Sequence, residues 1–288
     1  MLLSSMLRNL GLLALPVIAA SCTSSLELDR FRRAEASSVD TAIAVSHFDV
    51  RFAARGMLSH LGENLEVRVV DKQNRVQAKA VYSDIVGPDF SMYLARIVPK
   101  ANAPYRLDFW ADHNNTAKYD GIEGGINDKD HAWRRVLADP LPEDMRLVQG
   151  RYELSFVHDT AFVDIATDLQ GNKVAGEETL LPFTMKIVNG AAFIGKNTEI
   201  RVVDKTSTRL VAFHRQGRMK AEYTAKVTGI LDEVTPYEVS VFVDLNDDGK
   251  YDASDASWKV DLTSDSVGLA AELDVGAAPQ SPIDTGEP

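Results

Sequence analysis

Residues 64–72 read NLEVRVVDK, and residues 197–205 read NTEIRVVDK, so seven of the nine positions are identical. The same register holds further out, where FDVRF from Phe48 corresponds to FTMKI from Phe183. One repeat covers roughly one hundred residues, which is the size of a β-sandwich domain. The repeat therefore predicts two structural units that share one fold.

Within each unit, apolar and polar side chains alternate between clusters of turn residues. PYEVSVFVD at residues 236–244 places a tyrosine and three valines on one face, and PYRLDFWAD at residues 104–112 follows the same pattern. A period of two is typical of strands with one buried face. We therefore predict an all-β chain of two tandem antiparallel β-sandwich domains with seven or eight strands each. Ig-like and transthyretin-like topologies both remain open.

The repeat boundaries and the composition of the intervening segments predict the domain organisation. The linker carries glycines and an asparagine, and the last residues have the polar, proline-containing composition of a disordered tail. The predicted segments are a signal peptide at 1–21, a tether at 22–44, a first β-sandwich at 45–168, a linker at 169–182, a second β-sandwich at 183–276 and a tail at 277–288.

Composition narrows the function classes. The chain has 288 residues, 45% hydrophobic and 25% charged, as in a globular protein. Its formal charge is −11 and it has no Lys/Arg-rich cluster, which argues against a nucleic-acid partner. It also lacks a nucleophile elbow, a phosphate-binding glycine loop and a dinucleotide fingerprint. We therefore predict that it is not an enzyme.

The single cysteine follows a leader typical of secreted proteins. Arg8 precedes an apolar stretch at residues 10–20, and small residues lead into Cys22. This resembles a bacterial lipoprotein signal, although Ala19 stands where that family usually has leucine. The resemblance implies lipidation of Cys22, and Thr23, in place of an aspartate, implies the outer membrane. An ordinary secretory signal and an uncleaved anchor are the alternatives.

The strand at residues 236–243 continues directly into the acidic sequence DLNDDGKYDASD at residues 244–255. Oxygen ligands at alternate positions, with a glycine at the sixth, match the spacing of an EF-hand-type calcium loop. A strand precedes the loop and an aspartate closes it, so it is similar to the loops of dockerins and extracellular β-sandwich repeats. We expect weak affinity, ~10⁻⁴ to 10⁻³ M. A metal-free acidic turn is the alternative. The predicted ligands are Asp244, Asn246, Asp248, the Lys250 carbonyl, Asp252 and Asp255.

The first unit carries a weaker version of this loop. Thr116 and Ala117 stand where the second loop has an aspartate and a glycine, and seven extra residues precede Asp130. We therefore interpret this loop as a decayed copy that is retained for its turn. The weaker predicted metal ligands are Asp112, Asn114, Thr116, Asp120 and Glu123.

The histidines and tryptophans give no independent functional signal. The six histidines lack the paired spacing of metal ligands, and the cluster of His131 with Asp130 and Trp133 is the one place worth inspecting. Trp133 and Trp258 occupy the same repeat position, as expected of core residues.

The sequence thus predicts an outer-membrane lipoprotein that acts as a structural or binding module with calcium in the second repeat. Its partners would be the membrane, through the lipid, and an unidentified protein or glycan. A glycan-binding or adhesin-like module is one alternative, and a hydrolase with an unmarked carboxylate site is the other.

Overall fold

The computed structural model describes residues 46–101, 103–122, 129–174, 180–251 and 254–279. Residues 46–288 group into one compact unit. The predicted signal peptide, Cys22 and the tether lie outside the described residues. Among the described residues, no helix has the length and apolar character needed to cross a membrane.

The fold is an all-β sandwich, as predicted. Among the described residues, eight strands belong to the first repeat and seven to the second, and a short 3-10 turn follows the first strand of each repeat. The turns are Met57–His60 and Gly190–Phe193. The strands are β1 His47–Arg55, β2 Leu65–Val70, β3 Val76–Ser83, β4 Phe90–Pro99, β5 Tyr105–Ala111, β6 His131–Leu137, β7 Met145–Val148, β8 Arg151–Val157, β9 Leu181–Val188, β10 Thr198–Asp204, β11 Arg209–Gln216, β12 Tyr223–Leu231, β13 Pro236–Val243, β14 Ala256–Thr263 and β15 Leu269–Asp274.

These strands form three sheets, and the largest is shared by both repeats. Its order is β14-β13-β10-β11-β3-β2-β5-β6, so each repeat contributes four strands. The two smaller sheets are β4-β1-β8-β7 and β12-β9-β15. Most neighbours are antiparallel, but β1 pairs in parallel with β8, β9 with β15 and β3 with β11. The last of these pairs makes the large sheet continuous.

The register of the β3–β11 pair places the two hydrophobic cores on opposite faces of the shared sheet. Ala80 lies beside Phe213, and both belong to the first core. The next residues along each strand, Val81 and His214, face the other side, where Val81 packs against the second core. Since side chains alternate across a strand, the buried face of one half-sheet continues as the outer face of the other.

Close contacts support this junction. Ser83 Oγ lies 3.1 Å from His214 Nε2, and Arg215 Nη1 donates to the Ser91 carbonyl at 2.6 Å. The backbone N–H of Gly217 donates to the Ser83 carbonyl. A Cβ atom on Gly217 would lie 2.3 Å from the carbonyl oxygen of Asp84, so only glycine allows the two repeats to approach this closely.

His214 makes the junction sensitive to acid. Burial lowers the pKa of His214 from 6.5 to about 4, so the unfolded chain binds this proton more readily than the folded chain. The free energy of unfolding should therefore rise with pH between about 4 and 6.5, and the contribution is lost as pH falls through that window. The limiting size is about 3 kcal/mol. Urea unfolding across this range, compared with His214→Gln, measures the effect. Parallel pH profiles of the two proteins would contradict it.

Candidate functional site

The two acidic loops leave the same end of the shared sheet. β5 and β13 precede the loops, and the pairing directions make these two strands parallel to each other. Five inter-strand spacings separate them in the sheet order, which corresponds to about 24 Å. One end of the molecule therefore carries both of the loops for which the sequence predicts calcium.

In the second loop, most predicted ligands already make hydrogen bonds within the loop. The backbone N–H of Gly249 donates to Asp244 Oδ2 at 3.0 Å, and that of Lys250 donates to Asp248 Oδ1 at 2.8 Å. Asn246 Nδ2 donates to Asp248 Oδ2, and the backbone N–H of Leu245 donates to an oxygen of Asp255. Asp252 lies outside the described residues. These bonds connect the predicted ligands to one another and to the backbone of the loop.

Asp244 is the most constrained of these carboxylates. Its side chain is fully buried, and within the described part of the chain its Oδ1 atom has no hydrogen-bond partner. Burial raises the pKa of Asp244, and the nearby carboxylates of Asp255 and Asp248 raise it further, although the N–H groups of Gly249 and Asp247 act in the opposite direction. The site therefore has a local excess of negative charge that a bound cation would neutralise.

The first loop has the same backbone shape. Asn115 and Ala117 adopt left-handed conformations with φ of 56° and 57°, and Asp247 and Gly249 do so at the matching positions with φ of 59° and 76°. Both oxygens of Asp112 accept backbone N–H groups, one from Thr116 and one from Ala117. Unlike Asp244, Asp112 therefore offers no unpartnered oxygen.

In the first loop, Asp130 rather than Asp112 resembles Asp244. It is 1% exposed, and its Oδ2 atom accepts the N–H of Asp120 at 3.1 Å. Its Oδ1 atom has no hydrogen-bond partner among the described residues, which exclude 123–128. Burial raises the pKa of Asp130 to about 7, and the carboxylates of Asp120 and Asp112 contribute. Asn114 Nδ2 also donates to Asp120. Asp130 therefore binds the backbone of Asp120 and lies within the electrostatic influence of two further carboxylates, Asp120 and Asp112.

The sequence prediction assigned the closing position of the first loop to Glu123, which lies outside the described residues. Counting twelve positions from Asp112 leads to Glu123, but Asp130 and Asp255 each immediately precede an equivalent strand, β6 or β14. The repeat alignment also pairs these two aspartates. The repeat alignment identifies the closing position of the loop better than counting from Asp112 does. An insertion within the loop changes the count but does not change which strand follows.

The carboxylates of the acidic loops are less closely gathered than a metal site requires. Among the described residues, the groups of three or more ligand atoms within 4.8 Å of one another consist of histidines and Glu63, and none comes from the acidic loops. Asn246, Asp248 and Lys250 are exposed. Calcium binding would therefore draw the loop inward around Asp244.

The structure also brings together residues that sequence spacing did not. His60, His113, His131 and His158 lie at one end of the first sandwich, although they are far apart in the chain. All three tryptophans are buried, so they do not provide the exposed aromatic strip expected of a glycan-binding module.

No protein-family model and no curated protein matches the chain. A solved structure from Parabacteroides distasonis, provisionally described as a cell adhesion protein, is 9% identical to this chain. The alignment covers 84% of this chain and 93% of that one, with a TM-score of 0.22. A likeness at that TM-score supports no inference about function.

The shared loop conformation predicts opposite effects of exchanging alanine and glycine. Ala117→Gly should raise the free energy of unfolding by roughly 0.5–1 kcal/mol, because left-handed backbone strain is removed. Gly249→Ala should lower it by about 1 kcal/mol, since the added Cβ meets no atom within 4 Å and only the backbone is strained. Chemical denaturation in chelator measures both.

The control is Ala161→Gly, at an exposed position outside the left-handed region, which should be slightly destabilising. If Ala117→Gly destabilises the protein as much as this control does, the two loops do not share a strained conformation.

Proposed function

We propose that this protein is a calcium-binding β-sandwich module of the bacterial cell envelope, held at the outer membrane by a lipid on Cys22. The observation that carries the calcium assignment is the buried carboxylate of Asp244, whose Oδ1 atom has no hydrogen-bond partner among the residues that the structure describes. A buried anionic oxygen without a partner is unfavourable, and an ion coordinated by it would remove that penalty.

The chemistry of the surrounding groups favours a hard cation. The predicted ligands of the second loop are carboxylate, amide and backbone oxygens, which are the ligands that calcium takes in proteins. Lys196 Nζ binds Asp247 and the Leu245 carbonyl, neither of which is a predicted ligand. Lys196 therefore neutralises Asp247 and does not pair with the carboxylates of Asp244 or Asp248.

The first loop is a second calcium site in this proposal, with Asp130 as its central ligand. Asp130 shares with Asp244 the combination of burial and an unpartnered oxygen. Because both loops extend from one end of the shared sheet, two ions would stabilise the same end of the module. Such an end suits a structural or adhesive role in which calcium fixes the loop conformation that a partner contacts.

The membrane attachment is supported by the sequence alone. Cys22 is the single cysteine and follows an apolar leader that ends in the small residues Ala19, Ala20 and Ser21, as in the signals of bacterial lipoproteins that this leader resembles. A single acyl chain gives weak, reversible membrane binding, so stable attachment requires more than one chain. The −11 charge of the chain gives no attraction to an anionic membrane surface, so attachment would depend on the lipid.

Calcium should stabilise the full chain against thermal unfolding. With a dissociation constant of ~10⁻⁴ to 10⁻³ M, about 10 mM calcium contributes roughly 1.4–2.7 kcal/mol per site, which raises the midpoint by several degrees. Asp244→Asn should abolish the contribution of the second loop, and Asp130→Asn that of the first. Calorimetry with calcium and with chelator measures both effects.

The matched control is Asp261→Asn, which removes an exposed carboxylate paired with Lys205 outside both loops. It should keep the full calcium shift. In chelator, Asp244→Asn should unfold at the same temperature as the unmodified chain or higher, because a buried negative charge is removed. An unmodified chain whose midpoint does not respond to millimolar calcium would overturn the proposal.

Lipidation is tested separately. In a bacterial host fed a labelled fatty acid, the unmodified chain should incorporate label and partition into detergent, whereas Cys22→Ser should do neither. Label in the Cys22→Ser chain, or none in the unmodified chain, contradicts the anchor without affecting the calcium assignment.

A further inference from the structure

Four of the six histidines meet at one end of the first sandwich. His60 is the last residue of the 3-10 turn after β1, and His113 lies two residues beyond β5. His131 begins β6, and His158 directly follows β8. Four separate chain segments therefore deliver imidazole rings to one place, which explains why sequence spacing gave no sign of the cluster.

Three of these rings have nitrogen atoms that converge. His60 Nε2 lies 3.1 Å from His158 Nε2 and 3.3 Å from His131 Nδ1, and one ligand atom from each of the three residues lies within 4.8 Å of the others. When a tetrahedral ion is bound at 2.0–2.1 Å, its nitrogen ligands lie about 3.3 Å apart. The spacing of the three nitrogens is close to that of ligands sharing one ion.

Glu63 orients the central ring. Its Oε2 atom lies 2.7 Å from His60 Nδ1, and its Oε1 atom lies 2.8 Å from His113 Nδ1. A carboxylate accepts hydrogen bonds, so it holds the His60 proton on Nδ1 and directs the Nε2 lone pair towards His131 and His158. A carboxylate that binds the other ring nitrogen of a ligand is a common feature of histidine-ligated metals.

The rings are fixed by packing. His131 is stacked between His113, with a centroid distance of 4.7 Å, and Phe162, at 4.2 Å. Trp133 makes T-shaped contacts with both His60 and His158. His60 is fully buried and His131 is 7% exposed, whereas His158 is half-buried and forms the solvent side of the cluster. The three nitrogens are therefore largely preorganised.

The second repeat shows that the fold does not need these histidines. At the equivalent positions it has Phe193 at the end of the 3-10 turn, Leu245 two residues beyond β13 and Ala256 at the start of β14. Val275 matches His158, because each donates its N–H to the residue before the 3-10 turn's cap. There, Phe193 packs against Trp258 as His60 packs against Trp133.

In place of Glu63 the second repeat has Lys196. At all five equivalent positions, the second repeat thus lacks the histidine or glutamate that the first repeat has. It retains the strands, the turn and the tryptophan. The second repeat shows that apolar residues at the four histidine positions are sufficient to pack this end of the sandwich. The histidines and Glu63 therefore serve a purpose that packing does not explain.

We propose that the first repeat binds a divalent transition-metal ion of the zinc class through His60 Nε2, His131 Nδ1 and His158 Nε2, with Glu63 as a positioning residue. Imidazole nitrogens suit zinc, copper and nickel, whereas calcium and magnesium take oxygen ligands. The site is therefore chemically distinct from the acidic loops. Three protein ligands leave the fourth tetrahedral position for a water molecule.

A second set of groups, His60, Glu63 and His113, also lies within 4.8 Å, but it fits a metal less well. Its nitrogen–oxygen distances of 2.7 and 2.8 Å are those of charge-assisted hydrogen bonds and are shorter than the spacing of ligands around one ion. In our assignment, Glu63 and His113 support the site from outside the coordination sphere.

The test is equilibrium dialysis of the full chain against zinc in the presence of millimolar calcium, which keeps zinc from the acidic loops. The unmodified chain should bind one zinc ion. His158→Gln, at the half-buried position, and His60→Phe, which introduces the residue type of the second repeat, should each weaken binding by more than about 100-fold. Glu63→Gln should weaken it by about 10–100-fold and keep the stoichiometry, as expected of a positioning residue.

His47→Gln is the histidine control, and Asp261→Asn, outside both acidic loops, is the carboxylate control; both should bind zinc like the unmodified chain. Cobalt absorption gives an independent readout on the unmodified chain, which should show the visible bands of tetrahedral coordination. Zinc affinity unchanged in His158→Gln would overturn the assignment, as would cobalt without tetrahedral bands. Zinc retained by His158→Gln but lost in Glu63→Gln would move the ion to the second set of groups.

Discussion

The parallel pairing of β3 with β11 is the interaction on which the rest of the structure depends. It joins two four-stranded half-sheets into one sheet of eight strands and fixes their register through Ala80 beside Phe213. Because this register places the two cores on opposite faces, each half-sheet is covered by its own small sheet on one side only. The same pairing makes β5 and β13 parallel, which brings the two acidic loops to a common end. The close approach at Gly217 is the local condition for this pairing.

Covering each half-sheet on one side leaves an outer face that carries paired charges. Glu66 binds Arg68 in the first repeat, and Glu199 binds Arg201 at the matching positions of the second, with N···O distances of 2.5 and 2.9 Å. Each arginine also lies over an aromatic ring, Trp110 or Phe242. Since a one-residue slip would move these charges into a core, the pairs help to specify register even where they add little stability. The repeat preserves this arrangement as closely as it preserves the cores.

The sequence predicted the individual strands better than it predicted how the strands of the two repeats pair with each other. Period-two alternation located the strands, and the repeat showed that Val67 and Ile200 occupy equivalent core positions, because burial on one face constrains every second residue. The β3–β11 pairing leaves no periodic signal, since backbone hydrogen bonds form it. Asp244 was predicted from its loop spacing, whereas Asp130 was hidden by an insertion. His60, His113, His131 and His158 were not predicted as a cluster, because their proximity depends on four separate segments of the fold.

A comparison of the two repeats shows which residues the fold requires and which positions accept other residues. Both repeats keep the tryptophan of the sixth strand, Trp133 or Trp258, and both keep the left-handed loop positions, because these determine packing and chain direction. At the end of the sandwich, the second repeat packs Phe193 on its tryptophan, and the first packs His60, which also requires Glu63 as a buried partner. A buried polar group is unfavourable unless it is hydrogen-bonded. His60 therefore needs a hydrogen-bond partner that Phe193 does not need. Because the second repeat packs the same end of its sandwich with apolar residues, folding alone does not require the histidines and Glu63 of the first repeat. A chemical role explains them better.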